Sequence, residues 1–186
     1  LKQSDIYPAN LKKFDVIITG IRAYNTNEWL NDVYLSLMQY VKDGGVLLSQ
    51  YNTSNQIGPV KAKIAPYPFT ISRNRITDET AKVNFLLPSH KALNYPNKIT
   101  EKDFEGWVQE RSIYNAENCD SNYKKIISMK DAGENEQEGS VIITDYGKGR
   151  FIYTGLVFFR ELPAGVPGAF RLFANLIANR RSNYIK

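Results

Sequence analysis

Apolar and polar residues in the first part of the chain predict a strand, a helix and a second strand. The β-branched run 14–19 ends at Gly20 and predicts a buried strand. Apolar residues then recur at steps of three and four, which is typical of one face of a helix. These residues are Trp29, Leu30, Val33, Tyr34, Leu37, Met38 and Val41. Thr26 or Asn27 is expected to cap this helix.

The helix is predicted to end at the Asp-Gly-Gly of 43–45, where glycine allows a left-handed turn, and the apolar run 46–50 follows as a second strand. Strand, helix and strand joined by short links favour a βαβ unit with parallel strands. A strand at 14–19 with no strand before it would leave one side unpaired. We expect residues upstream of this sequence, or a second copy of the chain, to cover that side.

The remaining two thirds of the chain predict shorter elements. Residues 55–80 contain Pro59, Pro66 and Pro68 and favour an ordered excursion without regular structure. The capping pattern at 100–103 predicts a short helix near Phe104. Further strands are predicted at 83–87, 123–129, 140–146 and 150–158, with an extended segment at 107–113, a polar turn at 131–139 and a hairpin turn at 147–149. A final helix at about 168–179 is expected to bury Phe170, Leu172, Phe173, Leu176 and Ile177.

These elements predict one α/β domain over residues 1–186. Its expected architecture has three layers, with a flavodoxin-like sheet that is parallel at its start and has antiparallel hairpin strands toward the C-terminus. Composition agrees, because 42% hydrophobic and 23% charged residues are ordinary for a globular domain and exclude disorder or a coiled coil. No apolar run approaches the ~18 residues that cross a bilayer.

The net charge and the single cysteine and histidine argue against several classes of function. The net charge of +5 is spread along the chain and forms no stripe of basic and aromatic residues, which argues against a nucleic-acid partner. The single cysteine, Cys119, cannot form an internal disulfide, and the single histidine, His90, cannot build a multi-histidine zinc site. We therefore expect no metal and no cofactor in this segment.

Polar residues that follow the predicted strands are the best candidates for a site, because ligands of open α/β sheets bind beyond the carboxyl ends of the strands. The predicted ligand-binding residues are Arg22, Tyr24, Asn25, Gln50, Tyr51, Asn52, Trp107 and Arg160. Arginine, amide and phenol groups suit a sugar or another small polar ligand, through its hydroxyls or an acidic group. The alternative is that Arg22 and Arg160 pair with carboxylates to fix loops, and that Trp107 belongs to the core.

Catalytic candidates are few. His90 follows a predicted strand and could act as a base beside a carboxylate such as Glu110, but a turn histidine bonded to nearby backbone is the more ordinary role. Cys119 lies in a polar loop without a strand before it, so an incidental thiol is favoured over a nucleophile. Ser49 and Ser72 have no second histidine with which to form a triad.

Two segments, KDGGVLLSQ at 42–50 and DYGKGRFIYTG at 145–155, resemble the class I glutamine-amidotransferase-like fold, especially its ThuA-like branch. The segments 74–80, 103–111 and 155–175 are similar to the C-terminal domain of long bacterial LmbE/PIG-L-type proteins. This resemblance implies a bacterial protein of which the chain is a C-terminal part. Its partners would be other domains of the same chain, among them a zinc-dependent N-acetylglucosaminyl deacetylase. Export to the periplasm would depend on a signal peptide in that longer chain.

Both catalytic positions that the resemblance implies are lost. Active glutaminases place a cysteine on a sharp turn after a buried strand, where this sequence reads SQYNT at 49–53. The histidine that the ThuA-like branch often carries is replaced by the VFFR of 157–160. We therefore expect a catalytically silent module for ligand binding or docking. The alternatives are a hydrolase using His90 and a carboxylate, and a purely structural interdomain or oligomerisation domain.

Overall fold

The computed structural model describes residues 1–54, 60 and 63–178. Residues 55–59, 61–62 and 179–186 lie outside this range. Parts of the predicted excursion 55–80 and the last residue of the predicted helix 168–179 fall on them. The described strands are β1 (Val16–Thr19), β2 (Val46–Gln50), β3 (Thr70–Ile71), β4 (Asn84–Phe85), β5 (Ala116–Glu117), β6 (Lys124–Lys125), β7 (Ile127–Ser128), β8 (Val141–Tyr146) and β9 (Gly149–Thr154). The α-helices are α1 (Pro8–Leu11), α2 (Ala23–Thr26), α3 (Tyr34–Lys42), α4 (Phe158–Glu161) and α5 (Pro167–Ile177). Short 3-10 helices span Gln3–Asp5, Glu28–Leu30, Lys91–Leu93 and Glu101–Phe104.

The central sheet has five strands in the order β1-β2-β9-β8-β6. Strands β1, β2 and β9 are parallel, with Leu47 of β2 opposite Phe151 of β9, whereas β8 runs antiparallel to β9 and to β6. The two smaller sheets pair β3 with β5 and β4 with β7. The predicted α/β class, the parallel βαβ unit and the antiparallel C-terminal hairpin are therefore confirmed.

Both faces of the sheet are covered, because the strands alternate their side chains between two cores. Leu48 and Ile152 lie in one core with Leu172 of α5. Their neighbours Leu47 and Phe151 point the other way and pack with α3. Continuous apolar runs in β2 and β9 follow from this burial on both faces.

The helix predicted to begin at Thr26 or Asn27 begins later and is interrupted. Asn27 ends α2 by donating its side-chain amide to the carbonyl of Ala23, and its own amide oxygen accepts from the indole of Trp29. Such local side-chain bonds compete with helix continuation. The long helix, α3, starts only at Tyr34, after a 3-10 turn. No helix in the described ranges is long and apolar enough to cross a membrane.

Other expectations also differ from the structure. The strand predicted at 150–158 ends at Thr154 as β9, and α4 begins at Phe158. The strand predicted at 123–129 is divided into β6 and β7, which belong to different sheets. The segment predicted as extended, 107–113, forms no strand and contains Gln109 in a left-handed conformation. Phe170 of α5 is 50% exposed, because the buried face of this helix runs through Ala169, Leu172 and Leu176. The 3.6-residue period places Phe170 on the opposite side.

Strand β1 lies at the margin of the central sheet, with β2 as its one neighbour among the described residues. Ile18 of β1 is 42% exposed. The expectation of an uncovered side on this strand is confirmed within the described ranges. What covers it stays a prediction.

Candidate functional site

The candidate site lies where β1, β2 and β9 end, which we call the carboxyl end of the sheet. Because these three strands are parallel, their following loops reach the same side of the molecule. The loop after β1 carries Arg22, the loop after β2 carries Tyr51, and α4 carries Arg160 after β9. Arg160 reaches this side because β9 runs parallel to β2.

Three residues at this end have left-handed backbones although none is glycine: Arg22 (φ 57°), Gln109 (φ 69°) and Tyr114 (φ 52°). Arg22 follows β1, whereas Gln109 and Tyr114 both lie in the segment between the 3-10 helix Glu101–Phe104 and β5. The amide of Arg22 donates to the carbonyl of Tyr51 at 2.8 Å, and the carbonyl of Tyr114 accepts from the hydroxyl of Tyr153 at 2.7 Å. Left-handed conformations cost free energy in side-chain-bearing residues, so tertiary contacts hold these loops in place.

An aromatic cluster lies between the loops, and we call it the Tyr51 cluster: Tyr51, Tyr114 and Phe159. The rings of Tyr51 and Tyr114 stack with centroids 5.6 Å apart and planes within 10°. Phe159 meets Tyr51 at 5.4 Å and 50°. Tyr51 is buried, but Tyr114 and Phe159 are half-buried, so part of the cluster faces solvent.

A buried carboxylate, Glu110, joins two arginines beside this cluster. Its side chain is only 4% exposed, and it pairs with Arg75 through one oxygen and with Arg160 through the other, the latter at 3.2 Å. Arg160 also donates to the side chain of Gln109 and lies over the ring of Phe159, 4.9 Å from its centroid. This arrangement fixes the head of Arg160 next to the Tyr51 cluster.

Several charged and phenolic neighbours shift the pKa of Tyr51. Burial raises the pKa of Tyr51, and Tyr114 and Glu110 raise it further, while Arg22 and Arg160 both lower it. The guanidinium groups of Arg22, after β1, and Arg160, in α4, therefore both favour the ionised phenol, and burial outweighs them.

Three of the predicted ligand-binding residues instead hold the loops together. Asn25 donates its side-chain amide to the carbonyl of Thr53 at 2.9 Å and accepts from the amide of the same residue at 2.8 Å. The side chain of Asn52 accepts from the backbone of Tyr24 at 2.9 Å. The side chains of Tyr24, Asn25 and Asn52 are buried, and the ring of Tyr24 lies in the core on the α3 face.

Gln50 is half-buried at the end of β2, and its side-chain amide donates to the carbonyl of Thr19 at 3.5 Å. Its contact therefore ties the ends of β1 and β2 together. Of the predicted set, Arg22, Tyr51 and Arg160 remain the candidate residues at the carboxyl end of the sheet.

Trp107 lies away from these residues, in the core with α5. It is 3% exposed, and its indole donates to the carbonyl of Asp103 at 3.0 Å. Its ring stacks on Phe104 with centroids 5.4 Å apart, and the guanidinium carbon of Arg111 lies 5.5 Å from each of these two centroids. Burial lowers the pKa of Arg111 to about 10, although Glu161 opposes this. These residues border a cavity of about 600 Å³, but the tryptophan ring itself serves packing.

The catalytic candidates do not assemble. The ring nitrogen Nδ1 of His90 accepts from the amide of Ala92 at 3.2 Å and caps the 3-10 helix Lys91–Leu93. Glu110 is engaged by its two arginines instead. Burial raises the pKa of Cys119, which disfavours the reactive thiolate. Within the described ranges, no group of three or more acidic, histidine or cysteine side chains could hold a metal ion.

Gln109, Tyr114 and Arg75 are the residues of this end that the sequence did not suggest. They lie in loops without periodicity, far in sequence from the strand ends. Arg75 falls within 74–80, and Gln109 and Glu110 fall within 103–111, two of the segments that carry the family resemblance. Those segments were the available signal.

Comparison with known proteins identifies related folds but no family. No protein-family model matches the chain, and neither does any curated protein sequence. STM1381, a cytoplasmic protein from Salmonella typhimurium LT2, has a TM-score of 0.60 and 12% identity over 92% of this chain and 74% of its own. STM3548, a cytoplasmic protein from Salmonella typhimurium, has a TM-score of 0.57 and 14% identity over the same shares. Identities this low establish a shared fold, and the amidotransferase-like resemblance stays a prediction.

Proposed function

We propose that this domain is a catalytically silent, amidotransferase-like module that binds a small polar ligand at the carboxyl end of its sheet. The observation that carries the proposal is the packing at Tyr51 of segments that follow three parallel strands. The amide of Arg22 donates to the carbonyl of Tyr51 at 2.8 Å, and the ring of Tyr51 packs at 5.4 Å against Phe159, the ring beneath the Arg160 guanidinium. Arg22 follows β1 and Arg160 lies in α4 after β9, so the topology of the sheet brings both segments to this end.

Backbone conformation supports a site at this end. Residues held in unfavourable conformations cluster at functional sites, since the surrounding structure must stabilise them. Of the four non-glycine residues with positive φ in the described ranges, three lie here and the fourth is Asn118. A purely structural surface has no need to concentrate such residues.

The turn after β2 supports the proposal that the domain does not hydrolyse glutamine. A glutaminase needs a thiol there, with a base within hydrogen-bond reach. This turn carries Tyr51, whose ring packs in the aromatic cluster, and His90 uses its Nδ1 for the 3-10 cap. Attachment to a deacetylase domain in a longer chain is proposed from the sequence resemblance alone.

Chemical-shift mapping of the ¹⁵N-labelled domain tests the binding site directly. Galactose, N-acetylglucosamine, glucosamine and glucuronate are titrated separately, and perturbed amides are placed on the structure. We expect shifts in the loops after β1 and β2, in residues 109–114 and in α4. Perturbations confined to the cavity beside Trp107, or none with any compound, would reject the proposal.

A pair of matched variants links binding to the Tyr51 cluster. Phe159→Leu removes the ring that contacts Tyr51 and should weaken binding. Phe170→Leu makes the same change on the exposed side of α5 and should leave binding unaltered. Equal effects of the two variants would contradict a site at the carboxyl end.

A further inference from the structure

We propose that a cavity on the α3 face of the sheet binds a small aromatic carboxylate, with its ring in the cavity and its carboxylate at Lys63. This site is separate from the Tyr51 cluster and goes beyond the function proposed above. The size of the cavity, its apolar lining and the position of its one cation carry the proposal.

The cavity is bordered by the start of α3 and by the segment 63–71, and its volume is about 650 Å³. Pockets of about 300–1,000 Å³ are usual for small-molecule ligands. Its apolar lining includes three aromatic rings, those of Tyr34, Tyr67 and Phe69. These rings pack with the core on the α3 face, whereas the Tyr51 cluster packs with the core on the α5 face.

Contacts with neighbouring rings hold two aromatic walls of the cavity in place. Phe69 packs on Tyr153 of β9 with ring centroids 4.9 Å apart. Tyr67 meets Tyr123 and Tyr146 edge-on, with centroid distances of 6.2 and 5.8 Å. Walls that are already formed reduce the entropy lost on binding. An aromatic ligand extends such a cluster through the same offset and edge-on contacts.

The cavity offers few hydrogen-bond donors for a ligand inside it. The hydroxyl of Tyr34 donates to the carbonyl of Ala65 at 3.1 Å, and the hydroxyl of Thr70 donates to the carbonyl of Glu117 at 3.0 Å. Each hydroxyl has a single hydrogen, so these two are already used. Ser54 contributes a third hydroxyl to the lining. This surface therefore favours an apolar ligand body over a sugar with many hydroxyls.

Lys63 brings a positive charge to this cavity. Its ammonium lies over the ring of Tyr34, 5.8 Å from the ring centroid. Contact with the face of a ring uses none of the three N–H donors, so they stay available to a carboxylate. The side chain of Lys63 is exposed, which places the charge on the solvent side of the cavity. Among the described residues that line the cavity, there is no carboxylate.

Carboxylates near the cavity do not neutralise this charge by a direct contact. The nearest along the chain or across the small β3–β5 sheet are Asp32, Glu117 and Asp120. Their side chains accept from neutral amides, those of Gln3, Asn74 and Asn122 respectively. Within the described ranges, none of the three forms a salt bridge with Lys63. The ammonium is therefore left for an acidic group from outside the chain.

Isothermal titration calorimetry at low salt compares four probes: naphthylacetate, its neutral analogue naphthylethanol, the aliphatic carboxylate octanoate, and acetate. We expect naphthylacetate to bind about fivefold more tightly than naphthylethanol, the scale of an exposed ion pair. It should bind at least about a hundredfold more tightly than acetate, because acetate buries very little apolar surface. Octanoate should bind more weakly than naphthylacetate, since it makes no ring-to-ring contacts.

Two matched lysine variants and chemical-shift mapping locate the site. Lys63→Gln should weaken naphthylacetate about fivefold and leave naphthylethanol unchanged. Lys82→Gln removes the same charge from another exposed lysine, whose neighbours Ala81 and Val83 pack in the core on the α5 face, and should change neither. In the ¹⁵N-labelled domain, naphthylacetate should perturb amides of residues 63–71 and of the start of α3.

Each contrary outcome removes a stated part of the proposal. Naphthylethanol binding as tightly as naphthylacetate would overturn the role of charge, and octanoate binding as tightly would overturn the aromatic ligand. Equal effects of the two lysine variants, shifts outside this cavity, or no binding by any probe would overturn the site itself. The Tyr51 cluster is tested with sugars and reports through other amides, so failure of one site is distinguishable from failure of the other.

Discussion

The ring of Tyr114 lies flat on the ring of Tyr51, with centroids 5.6 Å apart, although the backbone of Tyr114 is left-handed. The stack and the strain occur in the same residue. The hydroxyl of Tyr153 donates to the Tyr114 carbonyl at 2.7 Å. The ring stack and this hydrogen bond together fix the position of Tyr114 beside the proposed site.

Replacing Tyr114 by glycine and by alanine separates the stack from the backbone. Both variants lose the ring, but glycine adopts φ 52° without a steric penalty. We expect Tyr114→Gly to be more stable than Tyr114→Ala by about 0.5–1 kcal/mol, even though glycine gains entropy in the unfolded chain. Urea unfolding measures the difference. An alanine variant as stable as the glycine variant would show that the left-handed backbone is not maintained in solution.

Removing the charge of Glu110 should destabilise the domain. Glu110→Gln keeps the shape of the side chain but leaves Arg75 and Arg160 without their buried partner. We expect a loss of about 1.5–3 kcal/mol in the free energy of unfolding, the range for hydrogen bonds to charged groups.

The matched control for this variant is Glu138→Gln. Glu138 pairs with Lys125 at 2.9 Å on the surface, with both side chains 40% or more exposed. Exposed pairs contribute roughly 0–1 kcal/mol, so this variant should be nearly neutral. If the two substitutions have equal effects on thermal and urea unfolding, burial of Glu110 does not give its ion pairs added strength.

The fold could be predicted where burial alone determines the pattern. The runs that became β1 and β2 are apolar because the sheet is covered on both faces, and the glycine turn before β9 permits a hairpin. The start of α3 could not be predicted. The side chain of Asn27 donates to the carbonyl of Ala23, and the helix that Asn27 was expected to start does not form there. Propensity does not reveal which of these local alternatives prevails.

The site could be predicted only in part, for a similar reason. Arg22, Tyr51 and Arg160 follow parallel strands, so a topological rule suffices to bring them together. The left-handed conformation of Tyr114 depends on Tyr153, which is 39 positions away in the sequence. A local sequence pattern cannot indicate a contact between residues so far apart in the sequence. Tyr24 and Asn52 also follow strands, but their side chains turn inward to stabilise the loops.

A pH-dependent contribution is expected from Asp131. Its carboxylate accepts from the amide and hydroxyl of Thr77 and from the amide of Asp78. Burial alone would raise the pKa of Asp131, but these hydrogen bonds outweigh it and lower the pKa below its ordinary value. A carboxyl with a lowered folded-state pKa stabilises the fold above its unfolded pKa and loses that contribution as the pH falls through the folded value.

The variant Asp131→Asn should therefore be less stable than the parent at pH 7, and the difference should shrink below about pH 4. Urea midpoints of both proteins across this range provide the measurement. Asp32→Asn is the control, because Asp32 accepts a single exposed bond from Gln3 at 3.3 Å. A difference that stays constant with pH would mean that Asp131 acts through its shape and not through its charge.

Glutamine should not be hydrolysed by this domain. The turn at 49–53 has no thiol, and Cys119, the one cysteine of the chain, lies in a separate loop. Burial and the nearby Glu117 raise the pKa of Cys119, and Lys125 offsets this only in part, so little thiolate is available near neutral pH. Ammonia release from glutamine, followed by an enzyme-coupled assay, should equal the rate without protein and should be the same for Cys119→Ala. Release above that rate, abolished in Cys119→Ala, would identify Cys119 as a nucleophile and refute the silent assignment.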